Sequence, residues 1–141
     1  MPTNLFLVDT SAWLFALKKD FMPAVKNRIY DLLNENAVIT TGIIKLELLG
    51  GTRTKNEFQR LKTRLDALDT IYTDKSLWNG ACDLAFTLRR KGITIPYTDI
   101  MIAAAALITE ATVLHADVHF DMISEKSTLK VESLVPLVSS P

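Results

Sequence analysis

The sequence predicts an α/β sandwich, in which a central and mainly parallel sheet is flanked by helices. Short apolar runs of strand length alternate with longer stretches whose apolar residues recur at helical spacing. Strands separated by helices favour parallel pairing, because a parallel connection needs a crossover that a helix can supply. No repeat, linker or low-complexity tract interrupts residues 1–141, so we expect a single domain.

The first half of the chain supplies three predicted strands, at residues 5–8, 37–40 and 70–73. Thr10 or Ser11 is suited to cap a helix after the first strand, and Pro23 fits the first turn of the next helix. After the second strand, Thr41 is expected to cap a helix that ends at Gly50 and Gly51, and residues 55–68 again show helical spacing.

The second half supplies the remaining elements. Asp74 is expected to cap a helix that stops at Gly92, and Thr98 to cap a nearly all-apolar helix over residues 99–110. A helix that is apolar on every side should be buried on most sides. Residues 112–115 predict a strand, residues 118–123 a short helix and residues 129–131 an edge strand.

Bulk composition limits the classes of protein that this chain can represent. Hydrophobic residues make up 48% of the sequence, and sixteen acids balance sixteen bases, so net charge provides no overall attraction to nucleic acid. Cys82 is the only cysteine, which excludes an internal disulfide and fits a reducing compartment. The N-terminus lacks signal-peptide features, and the apolar run at residues 100–108 is too short to span a bilayer. We therefore expect a cytoplasmic protein without a membrane segment.

Four acidic residues stand where a parallel sheet gathers functional groups. Asp9 and Asp117 each follow a predicted strand, Asp99 begins a predicted helix, and Glu47 lies within an apolar helix. The carboxyl ends of parallel strands meet along one edge of the sheet, where ligands and catalytic groups collect. Each aspartate also has a structural interpretation, as a helix cap, a complement to a helix dipole or a turn residue.

Glu47 is the acid that a structural role explains least well. It lies among apolar residues, so we expect its carboxylate to be largely buried, and an unpaired buried charge is unfavourable. Lys45 projects from another face of the helix and is a poor partner. Two carboxylates ~4 Å apart repel by ~4 kcal/mol at an effective dielectric of ~20, so a cation is expected among the acids. Oxygen ligands without a cysteine cluster favour Mg²⁺ or Mn²⁺ over zinc.

The order of these motifs resembles the PIN-domain ribonucleases, and within them the VapC-type toxins of toxin–antitoxin pairs. The matching segments are Leu-Val-Asp-Thr-Ser-Ala-Trp at residues 7–13, Glu47 in its helix, Tyr-Thr-Asp-Ile-Met-Ile-Ala-Ala at residues 97–104 and Leu-His-Ala-Asp-Val-His-Phe at residues 114–120. Each motif is short, but the ordered set covers essentially the whole chain. The resemblance implies a single PIN-like domain, built as a three-layer sandwich.

The resemblance also implies roles for individual residues. The family's catalytic and metal-binding acids correspond to Asp9, Glu47, Asp99 and Asp117. Supporting positions, which orient these acids or add a further carboxylate, correspond to Thr10, Ser11, Thr98 and Asp121. The implied reaction is cleavage of an RNA phosphodiester with Mg²⁺ or Mn²⁺ as cofactor. The implied partners are the RNA substrate, a cognate antitoxin whose tail lies over the acidic groove, and a second copy of the chain in a homodimer.

Basic residues and histidines near these motifs have less specific interpretations. The basic segment from Arg53 to Arg64 is consistent with a solvated helix face, and a sharper hypothesis assigns phosphate contacts near the acids to Arg53 and Lys55. His115 and His119 are expected to be structural, because one ends a strand while the other lies in the following helix.

Other functions fit the sequence less well. A phosphatase of the haloacid dehalogenase type needs a second Asp two residues after the first, where Ser11 stands, and a nucleotide-binding enzyme needs a glycine-rich first turn. Three alternatives stay open at this point: a toxin nuclease, a PIN-domain nuclease of RNA processing without an antitoxin, and a non-catalytic PIN-like module that binds RNA or protein.

Overall fold

The computed structural model describes residues 4–18 and 22–138, in which a five-stranded sheet is flanked by helices. The residues outside this range include the start of the chain, on which the signal-peptide expectation rests. The strands are β1 (Phe6–Val8), β2 (Val38–Thr41), β3 (Asp69–Ile71), β4 (Thr112–His115) and β5 (Lys130–Ser133). The helices are α1 (Thr10–Leu17), α2 (Pro23–Asn34), α3 (Gly42–Gly50), α4 (Lys55–Asp66), α5 (Lys75–Arg90), α6 (Tyr97–Thr109), α7 (Val118–Lys126) and α8 (Val135–Val138).

All pairings in the sheet are parallel, and the strand order is β3-β2-β1-β4-β5. The chain builds outward from β1 to β2 and β3, and then returns to place β4 on the other side of β1. Connections that leave two neighbouring strands in opposite directions open a crevice at their carboxyl ends. That crevice lies at the carboxyl ends of β1 and β4. Asp9 follows β1 in the sequence, and Ala116 follows β4.

The hydrophobic core runs along the three central strands and the helices that cover them. Leu7, Val8, Val113 and Leu114 have no exposed surface, as expected for parallel strands covered on both faces. Helix α6 is buried continuously over residues 100–106, which confirms the prediction made from its apolar sequence. None of the helices in residues 4–18 and 22–138 is long and apolar enough to cross a membrane.

Several element boundaries differ from the predictions. Strand β3 begins one residue earlier than predicted and ends at Ile71, β5 extends to Ser133, and α8 was not predicted. Asp9, rather than Thr10 or Ser11, caps α1, because its backbone is extended and its carboxylate accepts the Ser11 N–H. The caps predicted at Thr41 and Asp74 are confirmed, since each side chain accepts a hydrogen bond from the first turn of its helix.

Thr98 does not cap α6. The helix begins one residue earlier, at Tyr97, with Pro96 as its N-cap, and the Pro96 carbonyl accepts the Ile100 N–H at 3.0 Å. Proline sets its own φ near the value that a helix entry needs, and so the chain turns into the helix without a side-chain cap. Thr98 is consequently exposed in the first turn.

Candidate active site

Asp9 occupies the buried side of the crevice between β1 and β4. Its side chain is fixed by Ser11, whose backbone N–H donates to Oδ2 at 3.0 Å and whose hydroxyl donates to the same oxygen at 2.6 Å. The Ser11 hydroxyl in turn accepts the Ala116 N–H at 2.9 Å, which ties the end of β1 to the end of β4. Asp9 is only 4% exposed, and burial raises its pKa to about 6, an effect that the charges of Asp99 and Glu47 increase.

Glu47 approaches the same site from α3, and its placement corrects the prediction of a buried carboxylate. The side chain is exposed, because α3 turns its Ile44 and Leu48 face to the core and leaves Glu47 at the mouth of the crevice. Its Oε1 accepts the Thr10 hydroxyl at 2.8 Å. Lys45 pairs with Asp66 at 3.3 Å, as expected for a residue on another face.

Asp99 and Asp117 form the other side of the site, with His119 between them. Asp117 caps α7 by accepting the His119 N–H on Oδ1 at 2.9 Å. The ring Nδ1 of His119 lies 2.9 Å from Asp99 Oδ2 and 3.3 Å from Asp117 Oδ1. Ligand atoms of these three residues all lie within 4.8 Å of one another, which is close enough for one metal ion to be shared.

The electrostatics of the site join its two sides. Burial raises the pKa of Asp99, the hydrogen bond from His119 lowers it, and the charges of Asp117 and Glu47 raise it again. Asp9 and Glu47 lie outside the group of ligand atoms within 4.8 Å, but their charges still influence one another and Asp99. The four acids therefore share one region of negative potential, as the sequence analysis expected for a site that attracts cations.

His119 belongs to this cluster, although the sequence analysis did not place it among the candidate site residues. The structural role expected for it was based on its position relative to His115 along the chain, whereas its ring contacts Asp99 on a different helix. His115 does not contact Asp99 in this way. It is fully buried, burial lowers its pKa, and its Nδ1 accepts the Asp117 N–H at 3.2 Å, so the neutral imidazole helps to fix the backbone of Asp117.

The four predicted supporting residues have different partners in the structure. Ser11 orients Asp9, but Thr10 bonds to Glu47 and not to Asp9. Within the described part of the chain, the hydroxyl of Thr98 has no hydrogen-bond partner. Asp121 does not belong to the cluster of Asp99, Asp117 and His119. Its carboxylate accepts the Ser133 hydroxyl at 3.0 Å and lies 3.2 Å from His115 Nε2.

Arg53 and Lys55 lie on the loop before α4 and in its first turn. The Arg53 N–H donates to a Glu57 carboxylate oxygen at 3.1 Å, and the Lys55 ammonium lies 5.4 Å from the centre of the Phe58 ring. A cleft beside Glu47 is lined by residues of α1, α2, α3 and α4, and neither Arg53 nor Lys55 is among them. Their role in RNA binding stays a prediction.

Comparisons with a family model and with individual proteins indicate the same family. The family model described as PIN domain matches residues 6–126. Ribonuclease VapC51 of Mycobacterium tuberculosis is 33% identical to this chain over 134 residues, which cover 93% of each protein. Ribonuclease VapC21 of the same species is 30% identical over 136 residues, covering 94% of this chain and 96% of the relative.

Solved structures share the fold. VapBC2 from Rickettsia felis, bound to a DNA fragment from its promoter, aligns with a TM-score of 0.76 at 22% identity, covering 92% of this chain and 98% of the other. DNA-bound VapBC from Salmonella typhimurium aligns with a TM-score of 0.75 at 19% identity, covering 93% and 98%. The full-length match to the ribonucleases and the family-model match across the acidic site together carry the assignment: this chain belongs to the PIN-domain family, and within it to the VapC ribonucleases.

Proposed function

We propose that this protein is a metal-dependent ribonuclease that hydrolyses RNA phosphodiester bonds, with Asp9, Glu47, Asp99 and Asp117 as its catalytic acids. The convergence of these four carboxylates at one edge of the sheet is the observation that carries the proposal. Two of them, Asp9 and Asp99, have raised pKa values, which is typical of a site whose charges are balanced only when a cation is bound.

The donor set of the site fits a divalent cation. Asp99 and Asp117 would hold it directly, with Asp9 and Glu47 contributing from the other side, and oxygen donors suit Mg²⁺ or Mn²⁺. The His119 ring adds a nitrogen donor, which Mn²⁺ accepts more readily than Mg²⁺. When bound there, a divalent cation supplies positive charge beside the scissile phosphate and lowers the pKa of an attacking water molecule.

The residues around the acids prepare them for this task. Ser11 holds the buried carboxylate of Asp9 with two hydrogen bonds, so that this carboxylate is oriented before any ligand arrives. Thr10 steadies Glu47 at the mouth, while His119 spans Asp99 and Asp117. Carboxylates that are fixed in advance need little rearrangement when a substrate binds.

We further propose that the ribonuclease acts in the cytoplasm as the toxin of a toxin–antitoxin pair. The support is the resemblance to ribonucleases named VapC and to structures described as VapBC complexes. A small gene beside this one, encoding a protein that relieves growth arrest when both are expressed, is the expected result. Growth arrest that no neighbouring gene relieves would instead favour a nuclease of RNA processing.

A homodimer is the proposed oligomeric state. Large apolar side chains lie exposed on α5 and at the start of α6, with Trp78 55%, Phe86 63% and Tyr97 74% exposed. A second copy of the chain would cover such a surface. Light scattering of the purified protein should give twice the mass of one chain, and Phe86→Ser should shift that mass toward the monomer.

Removal and return of metal test the nuclease directly. Protein stripped with EDTA should leave RNA intact, and added Mg²⁺ or Mn²⁺ should restore cleavage. Asp99→Asn should abolish both cleavage and metal binding measured by calorimetry. Asp83→Asn removes an equal charge from the exposed face of α5 and should change neither. Cleavage by Asp99→Asn at the wild-type rate would contradict the proposal, and metal binding without cleavage by the wild type would favour a non-catalytic module.

A further inference from the structure

His115 is the last residue of β4, and its polar ring is fully buried. Its Nδ1 accepts the Asp117 N–H at 3.2 Å, and its backbone carbonyl accepts the Leu134 N–H at 2.7 Å. The ring also packs against the buried ring of Phe120, with 5.2 Å between the ring centres. Burying a polar ring is unfavourable unless both of its nitrogens have partners. The surroundings of the second nitrogen, Nε2, therefore decide how firmly the ring is held.

The contact with Asp117 fixes where the ring of His115 carries its proton. A backbone N–H can only donate a hydrogen bond, so the Nδ1 atom that accepts from Asp117 carries no proton. The neutral imidazole then carries its proton on Nε2. Only this tautomer can hold the Asp117 backbone, because a proton on Nδ1 would face the Asp117 N–H instead of accepting it.

Asp121 supplies the negative charge that favours this tautomer. Its Oδ1 lies 3.2 Å from His115 Nε2. The two atoms are not aligned as a regular hydrogen bond, and Nε2 forms no regular hydrogen bond to any other residue among residues 4–18 and 22–138. A carboxylate at this distance attracts a proton on Nε2 and disfavours the bare nitrogen that the other tautomer would place there. Asp121 is therefore the group on which the proton position of His115 depends.

Ser133 keeps the Asp121 carboxylate in place. The side chain of Asp121 is 35% exposed, so without a partner it is free to turn toward water. The Ser133 hydroxyl donates to Asp121 Oδ2 at 3.0 Å and accepts the Val135 N–H at 3.3 Å, which sets its direction from both sides. Ser133 is also the residue of β5 that pairs with His115 of β4. Strand β5 therefore fixes the carboxylate and the ring relative to one another.

We propose that Asp121 and Ser133 are positioning residues, which act through the ring of His115 to hold Asp117 where it can bind metal. The inference rests on the proposed nuclease function and deepens it, because it identifies residues that set the metal affinity of the same site. Groups that orient a metal ligand from behind often influence metal binding strongly without touching the ion. Asp121 accordingly lies outside the cluster of possible metal ligands and still acts on it.

A structural role alone, in which Asp121 and Ser133 only join α7 to β5, explains less of this arrangement. Strand β5 is already joined to β4 by four paired positions, and one partly exposed hydrogen bond adds little to that stability. If only packing mattered at residue 115, an apolar side chain of similar volume would fill the space without a polar atom to satisfy. The histidine has a use that packing does not explain, because its Nδ1 is the acceptor of the Asp117 N–H.

Metal affinity tests the proposal with Mn²⁺ alone as the probe. Asp121→Ala removes the carboxylate that faces Nε2 and should weaken Mn²⁺ binding, measured by electron paramagnetic resonance, by ~10-fold. Asp121→Asn keeps an oxygen that can face Nε2 and should retain most of the affinity. Glu125→Ala is the matched control, because it removes the same charge from an exposed position of α7 and should bind Mn²⁺ as the wild type does. Ser133→Ala should weaken binding by no more than ~5-fold, because it removes one hydrogen bond.

Two further measurements separate positioning from a direct effect of charge. In an Asp117→Asn background, Asp121→Ala should cause little further loss of Mn²⁺ affinity, because Asp121 acts through Asp117, whereas independent effects would add. In metal-free protein, hydrogen exchange followed by NMR should show that the Asp117 N–H exchanges several-fold faster in Asp121→Ala than in the wild type, relative to the other amides of α7. Thermal melting in EDTA confirms that each variant is folded, and the fully buried His115 is left unchanged throughout.

Any of four results would overturn the proposal. Two concern Mn²⁺ affinity: a wild-type value in Asp121→Ala, or an equal loss in the Glu125→Ala control, which would indicate an effect of charge alone. The third is a loss in Asp121→Ala that adds fully to the loss in Asp117→Asn, and the fourth is unchanged exchange of the Asp117 N–H. A wild type that binds Mn²⁺ without cleaving RNA would refute the nuclease function, while metal affinity and amide exchange would still decide the roles of Asp121 and Ser133.

Discussion

Asp9 and Glu47 are two carboxylates of one site, and they are held in opposite ways. Asp9 follows directly from β1, is 4% exposed, and receives two hydrogen bonds from Ser11. Glu47 is exposed at the mouth of the crevice and receives one hydrogen bond, from Thr10. Burial raises the pKa of Asp9 to about 6, while the side chain of Glu47 stays in contact with solvent.

The difference teaches that the acids of one site do not contribute to stability and activity in the same way. A buried carboxylate lowers the stability of the fold when it is ionised, and a cation that relieves this penalty is bound more tightly in return. An exposed carboxylate carries little of that penalty and can adjust its position. We therefore expect the loss of Asp9 to change both stability and chemistry, and the loss of Glu47 to change chemistry alone.

The largest expected effect is on cleavage. Asp9→Asn keeps the shape of the side chain and removes its charge. Because a bound metal contributes several kcal/mol to transition-state stabilisation, kcat/KM should fall ~1,000-fold. Glu47→Gln should reduce it less, by ~10-fold to ~100-fold, because an exposed side chain positions a ligand less strictly. Initial rates on a fluorogenic RNA at saturating Mg²⁺ measure both. An equal loss in the two variants would remove the distinction between buried and exposed acids.

The next effect concerns stability in the absence of metal. The folded-state pKa of Asp9 lies above the unfolded value of 3.8, so the folded protein holds its proton more tightly, and stability falls as pH rises from about 4 to about 6. The shift corresponds to at most about 3 kcal/mol at neutral pH. Asp9→Asn lacks this penalty and should melt several degrees higher than the wild type at pH 7 in EDTA.

Melting curves across pH provide the control for this effect. The advantage of Asp9→Asn should shrink as pH falls from about 6 to 3.8 and should vanish well below 3.8, where Asp9 is protonated in both states. Burial lowers the pKa of His115, so this residue destabilises the fold below about pH 6.5. The wild type and Asp9→Asn both contain His115, and its contribution therefore cancels in the difference between their melting temperatures. A melting temperature of Asp9→Asn below that of the wild type at pH 7 would contradict the account of Asp9.

A smaller effect is expected at the residue that holds Asp9. Ser11→Ala removes a 2.6 Å hydrogen bond to the carboxylate and the acceptor of the Ala116 N–H. Loss of a group that orients a metal ligand typically weakens metal affinity ~10-fold to ~100-fold, and we expect this range for Mn²⁺ binding measured by electron paramagnetic resonance. Ser11→Thr, which keeps the hydroxyl, serves as the matched variant and should retain most of the affinity. Wild-type affinity in Ser11→Ala would show that Asp9 needs no such support.

The smallest effect is expected at the residue that holds Glu47. Thr10→Val keeps the shape of the side chain but removes the donor of its 2.8 Å hydrogen bond to the Glu47 carboxylate. An exposed hydrogen bond contributes about 1 kcal/mol, so kcat/KM should fall no more than ~5-fold, with an unchanged melting temperature. A loss as large as that of Ser11→Ala would mean that the mouth of the crevice is as rigid as its interior.

The fold could be predicted from the sequence because its determinants are local. Short apolar runs predicted the strands, and the apolar sequence of residues 99–110 predicted a helix buried on most sides, of which residues 100–106 are buried. The same reasoning placed Asp9 and Asp117 at the carboxyl edge of the sheet, because each comes within two residues of the end of a parallel strand. The cap at Pro96 escaped prediction, because the backbone of a proline can enter a helix without help from a side chain.

The remainder of the site depends on how helices are rotated against one another, which no local pattern encodes. Glu47 was predicted to be buried because its neighbours are apolar, yet Leu46, directly before it, is also 71% exposed. His119 contacts Asp99, which is twenty positions away in sequence. Arg60 and Arg64 were part of a recognised basic segment, but only the placement of α4 in the fold shows which members of that segment line the cleft beside Glu47.

The hydrogen bond from the Ala116 N–H to Ser11 joins residues 105 positions apart and has a consequence during protein synthesis. A growing chain that has emerged only as far as α6 already contains Asp9, Glu47 and Asp99, but it has no β4 to complete the crevice and no Asp117. Such an unfinished chain cannot assemble the four acids. The four acids can therefore come together only after almost the whole domain has left the ribosome.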